Sequence, residues 1–257
     1  MKNPRRIALT KTDLLSAEFN TDPPPPDSIF WNLWNSCASI AKQALATPYI
    51  QGIGSGSLDP NVFGGFYVND AYYCFNGEQD YCEASKAATD PNVKTFLQQK
   101  YLSYSRYNEV FPTIWHVSSA QCAIPNQVTA DYSAFETSVA ASAVAGKFDP
   151  VYLLIAMLPC EYLWAWLAQQ LAAKRFPNNV YQAWIDDNAD PSGAFAMGNF
   201  LASYQGLNQY MAHDFYSKAM QFELDNFLVA PLPLIPILPP PPVPPTSKSL
   251  AKLASSG

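Results

Sequence analysis

The chain has 257 residues, 49% of them hydrophobic and 14% charged, enough apolar matter for a substantial core in one large domain. A formal net charge of −6 excludes a phosphate-binding surface built from massed Lys and Arg, and no nucleic-acid partner is expected. Five irregularly spaced cysteines without a CxxC pair exclude a secreted disulfide framework, and two histidines, His116 and His213, are thin material for a metal centre even beside Glu83 and Asp214.

In chain order, the first basic cluster (Lys2, Arg5, Arg6, Lys11) has no apolar stretch after it of the kind a secretory signal needs, so a cytoplasmic setting is expected. "DPPPPDS" (22–28) closes an N-terminal extension, residues 1–27. "SIFWNLWNSCASIAKQAL" then repeats apolar residues at helical spacing, and Asp27 or Ser28 can cap it. Asp59 followed by Pro60 starts a helix that runs through "NVFGGFYVNDAYYCFNGEQDYCEASKAA". Further helices fit residues 91–116, 127–145, 149–175, 178–187 and 192–228, with breaks at Gly146 and "FPNN" (176–179). No apolar run reaches the length of a membrane span without a polar interruption, and no membrane partner is expected. Nine prolines in "PLPLIPILPPPPVPP" (231–245) forbid a helix there, so residues 231–257 are expected to be a proline-rich arm and a frayed tail. Strict alternation over a strand length is absent. The expected fold is therefore all-α, a multihelical bundle occupying residues 28–230.

Three of these helices carry a chemistry-bearing side chain on an apolar face. Asp70, Tyr73, Cys74 and Gly77 share one face of the second helix, near Phe66. Cys160 shares a face with Leu163, Trp164 and Leu167; a cysteine in such a setting is ordinarily core filler. Glu223 falls with Met220 and Phe227 on an inward stripe, where an acid costs several kcal/mol unless it is paired or protonated.

Four segments in order resemble the TenA/thiaminase II family: "PYIQGIGSGSLDPNVFGGFYVNDAYY", the "MLPC" that ends in Cys160, "VYQAWIDDNAD" and "AMQFELDNF". The resemblance covers about residues 28–228. It implies a heme-oxygenase-like helical bundle without heme, a homo-oligomer, and a hydrolase of thiamin metabolism that cleaves an aminopyrimidine at its exocyclic methylene carbon. Asp70 would grip the ring amine, Cys160 would add to the ring, and Glu223 would shuttle protons. Tyr73, Phe66 and Phe227 would bound a heteroaromatic amine, with no metal and no organic cofactor needed.

The sequence departs from the family pattern where tyrosines are usual. Trp164 stands one turn after the cysteine, Asn188 stands four residues past Trp184, and Phe135 occupies the tyrosine position of the preceding helix. Losing a hydrogen bond to a bound polar ring costs about 1–3 kcal/mol. Two alternatives follow: an enzyme of this fold diverged to another small molecule, and a non-catalytic ligand-binding protein. As a nucleophile, Cys160 is expected to alkylate before Cys37 or Cys122.

Overall fold

A computed structural model describes residues 19–174 and 176–230; the first basic cluster and the proline-rich arm lie outside them. The described residues form helices and no strand. In order they are α1 (Ile29–Ser36), α2 (Ala38–Ala46), α3 (Pro48–Ser55), α4 (Pro60–Ala87), α5 (Pro91–Asn108), α6 (Gln127–Val144), α7 (Val151–Ala172), α8 (Gln182–Asn188), α9 (Ser192–Ser203) and α10 (Gln209–Val229).

Local chemistry explains five of the ten starts. Pro48, Pro60 and Pro91 each stand at the first turn of a helix, where a missing N–H costs nothing. The residue before each accepts a backbone N–H: Thr47 from Ile50, Asp59 from Asn61, and Asp90 from Asn92 and Val93. Asn126 and Asn208 cap α6 and α10 in the same way. Ser28 stands at the cap position of α1, but its hydroxyl makes no capping bond there.

Four expected helices differ in extent, one of them, expected over 178–187, in starting only at Gln182. The first is interrupted at Cys37. The helix expected over 91–116 ends at Asn108, and a π-helical turn, Phe111–Trp115, follows; Pro112 has no N–H to continue the α ladder, and His116 then turns left-handed at φ 56°. The helix expected over 192–228 is two helices, because Gly206 at φ 91° reverses the chain and Asn208 recaps it.

α7 is the centre of the bundle. Leu153, Leu154, Ile155, Met157, Leu158, Leu163 and Leu167 are all inaccessible to solvent, and from Val151 to Cys160 the helix is buried on every side. It is long and apolar enough to cross a membrane, yet its apolar surface is taken up by the core of the fold. α10 and α8 pack on it, α4 packs on α5 and α6, and α6 joins the two groups through α10 and α7. Beneath the turn after Cys160, Lys100 Nζ of α5 meets Glu161 Oε1 at 2.6 Å with both side chains buried. Residues 19–27, the end of the expected extension, lie against the domain. Asn199 Nδ2 donates to Asn20 O and Asp22 O, and Trp31 Nε1 donates to Pro24 O. A Cβ on Gly198 would come within 2.6 Å of Pro24 and Phe30, so the close approach requires glycine there.

Candidate functional site

α4, α6, α7 and α10 converge on a small cavity of about 20 Å³. α4 supplies Phe66, Asn69, Asp70 and Tyr73, one face of a helix at three- and four-residue spacing. Asn69 is a strut: its Nδ2 donates to Gly65 O and its Oδ1 accepts the backbone N–H of Asn126, the cap of α6. Both oxygens of Asp70 are engaged, Oδ2 by the Tyr107 hydroxyl of α5 at 3.2 Å and Oδ1 by the Cys74 thiol at 3.6 Å. The carboxylate is thus aimed by two neighbours and still reaches the cavity wall.

Opposite stands Cys160 of α7, 5% exposed, one residue after Pro159. Proline inside the helix removes one rung of the hydrogen-bond ladder just before the thiol. One turn on, the Trp164 indole N–H donates to Glu223 Oε2 at 3.0 Å, and the Tyr132 hydroxyl of α6 donates to Oε1 at 3.0 Å. Glu223 itself is 3% exposed, so a buried acid has found two donors. Thr129 Oγ1 donates to Asn226 Oδ1 at 2.9 Å and closes the α6–α10 side. Phe66, Tyr49 and Phe227 pack on one another as a triad of near-parallel rings, with centroids 4.5 Å (Phe66–Tyr49), 5.7 Å (Phe66–Phe227) and 5.9 Å (Tyr49–Phe227) apart, which makes an aromatic wall.

The structure therefore brings Asp70, Tyr73, Phe66, Cys160, Trp164 and Glu223 around one space. Phe227 supports the wall from behind, with ring centroids 5.7 Å from Phe66 and 6.0 Å from Trp164. Phe135 and Asn188, expected at the pocket, do not line it. Phe135 packs on Phe215 and Phe222 beneath the Lys218 ammonium, and Asn188 Nδ2 turns back to Trp184 O at the end of α8.

A phenol does line the cavity from α6, three residues before Phe135, as Tyr132. It is the single tyrosine in α6, a signal visible in "VTADYSAFE". Trp164 likewise lacks a hydroxyl but contributes an N–H to the acid opposite. Thr129 and Asn226 carried no sequence signal, because both are polar residues near helix ends with ordinary spacing.

The surroundings are strongly desolvated. Burial pushes the Tyr73 and Tyr132 phenols far above the ordinary tyrosine range. Glu136 of α6 is likewise pushed well above the usual carboxylate range by burial, with the Tyr73 hydroxyl opposing. The cysteines separate by environment: Cys37 is raised by burial, whereas exposed Cys122 is drawn down to about 7 by the Ser118 and Ser119 hydroxyls. Exposure and the lowered thiol pKa favour Cys122 over buried Cys160 in alkylation, against the order expected from the sequence. Among the described residues, no group of three or more His, Cys, Asp or Glu side chains could hold a metal ion.

No protein-family model matches the sequence, and no curated protein matches it. Solved structures do. A TenA homologue from P. horikoshii OT3 superposes with a TM-score of 0.68 at 17% identity, covering 79% of this chain and 98% of that one. A TenA family transcription regulator from Silicibacter sp. TM1040 gives a TM-score of 0.69 at 14% identity, covering 81% of this chain and 99% of the other. A proposed TenA-like thiaminase from Sulfolobus solfataricus P2 gives 0.61 at 16%, covering 78% and 95%. The chain has the all-helical fold of the TenA homologues over nearly their whole length.

Proposed function

We propose that the protein is a cysteine-dependent hydrolase of thiaminase II type, acting on a C–N bond at the exocyclic methylene of an aminopyrimidine. The observation that carries this reading is the convergence of Asp70, Cys160 and Glu223, from three helices, on one desolvated cavity walled by Phe66 and Tyr73. Asp70 accepts the ring amine's N–H and polarises the ring. The Cys160 sulfur adds to the ring and its proton passes to Glu223. That proton then leaves with the departing group at the methylene. Water adds to the methylene carbon, its proton returns to Glu223, and the thiol is regenerated on release. Tyr132 and Trp164, which hold the two Glu223 oxygens, keep this acid aimed at the reacting atoms. Homo-oligomeric assembly, a cytoplasmic compartment and a place in thiamin metabolism belong to the same reading.

The size of the cavity favours a second reading beside it. A single water needs about 10–15 Å³ of such space, so 20 Å³ is too small for a six-membered ring as it stands. Trp164 and Asn226 are the partly exposed members of the wall, and the indole is the larger of the two. An enzyme of this fold whose substrate differs in shape from thiamin accounts for the bulk at position 164.

Incubation with thiamin and with 4-amino-5-aminomethyl-2-methylpyrimidine, followed by chromatography for a shared hydroxymethyl product, separates the two. Product from either compound, lost in Cys160→Ala, supports the aminopyrimidine reading. Product that appears only in Trp164→Tyr favours the diverged enzyme, and none in either protein removes the aminopyrimidine assignment.

A further inference from the structure

One turn after Tyr132, α6 carries a carboxyl for which the reaction above has no use. Glu136 is 1% exposed and stands behind the cavity wall. Its Oε1 accepts the Tyr73 hydroxyl at 2.8 Å, and the oxygen of Tyr132, whose own proton goes to Glu223, lies near it. Tyr73 and Tyr132 lie ring to ring at 4.9 Å, and both line the cavity with Cys160. Apart from burial, Cys160 is the neighbour that acts most strongly on the Tyr73 phenol. The other titratable groups near Glu136 are Asp80 and Tyr81 from α4 and Glu223 from α10. Tyr81 is also reached by Cys160 and Glu161 of α7, the latter paired with Lys100 of α5.

A phenol has one proton to donate. While Glu136 takes it, the Tyr73 oxygen offers Cys160 only lone pairs, which can accept the S–H proton but cannot stabilise a thiolate. We propose that Glu136 is a positioning residue that commits the Tyr73 proton away from Cys160 and so holds the resting cysteine as a thiol. The inference rests on Cys160 as the reacting group of the proposed function. Glutamine is the neutral isostere of Glu136, and its carbonyl oxygen accepts the same hydroxyl.

The test is the pH profile of Cys160 alkylation by iodoacetamide in the intact folded protein, read on the Cys160 peptide by mass spectrometry so that Cys122 does not interfere. Glu136→Leu releases the Tyr73 proton toward sulfur and should lower the alkylation midpoint by about one pH unit, the worth of one hydrogen bond. Below the midpoint that is about a tenfold faster reaction. Glu136→Gln should stay within about twofold of the parent, because the acceptor is retained. In a Tyr73→Phe background, Glu136→Leu should have no further effect. Glu136→Met, closer in length to glutamate, supplies the same readout if the leucine variant fails to fold. An unchanged or raised midpoint in a folded Glu136→Leu or Glu136→Met protein overturns the proposal. So does an equal shift in Glu136→Gln, or a shift that persists without the Tyr73 hydroxyl. Alkylation needs no substrate, so failure here and failure of the aminopyrimidine assay are separate results.

Discussion

Lys100→Met tests how α7 is held beneath its cysteine. The substitution keeps the length of the side chain, removes its charge, and leaves Glu161 buried at 3% side-chain exposure opposite an apolar group. Breaking a buried pair from one side costs about 3–5 kcal/mol. In a domain of this size each kcal/mol is about 2–4 °C, so the midpoint of thermal unfolding should fall by roughly 6–20 °C. The attraction within the pair is largely offset by the cost of desolvating both ions, so replacing both should cost far less than replacing one. Lys100→Met with Glu161→Leu should return to within about 1 kcal/mol of the parent. Urea unfolding followed by far-ultraviolet circular dichroism gives the four free energies of the cycle. If Lys100→Met lost under about 1 kcal/mol, or the double variant were as unstable as the singles, the interior around this pair would be far wetter than its burial indicates.

Asp80 is buried beside the Thr137 hydroxyl, and burial pushes its carboxyl from 3.8 to about 7. Between those values the unfolded chain has released the proton and the folded one has kept it, so this group withdraws stability as pH rises from about 4 to 7. Asp80→Asn, which still accepts the threonine hydroxyl, should gain up to about 4 kcal/mol at pH 8 and nothing at pH 4; equal gains at both, by denaturant titration, would contradict the assignment. For the exposed thiol, Cys122 should alkylate ahead of Cys37 and Cys160 at pH 7.5, and Ser118→Ala with Ser119→Ala should slow it. A Cys160 peptide modified before the Cys122 peptide would reverse that order. Asp70→Asn should mainly raise KM for the substrate, and Glu223→Gln should mainly lower kcat; the opposite split would exchange their roles.

What the sequence by itself determined is what a single turn of chain can encode. Thr47 before Pro48, Asp59 before Pro60 and Asp90 before Pro91 announce helix starts because cap and proline act on their own next few residues. Gly206 and Asn208 announced the break in the last expected helix with the same local chemistry, and the long apolar periodicity around them outweighed it. Asp70, Cys160 and Glu223 were legible as inward groups because each sits among apolar residues at helical spacing.

Tertiary structure alone decided which neighbour of each faced the cavity. Tyr132 and Phe135 are three residues apart, about 60° in rotation and 4.5 Å in rise. How α6 is turned against α4 and α10 chooses between them, and no property of the segment itself encodes that rotation. Asn188 missed the pocket for a like reason: it ends a short helix whose last turn bonds back on itself. Glu136 and Lys100 look like surface charges on amphipathic helices until their partners, Tyr73 and Glu161, arrive from 63 and 61 residues away. A buried polar group depends on contacts distant in the chain, whereas a helix start depends on contacts near it, and this difference in range divides what could be read from what had to be seen.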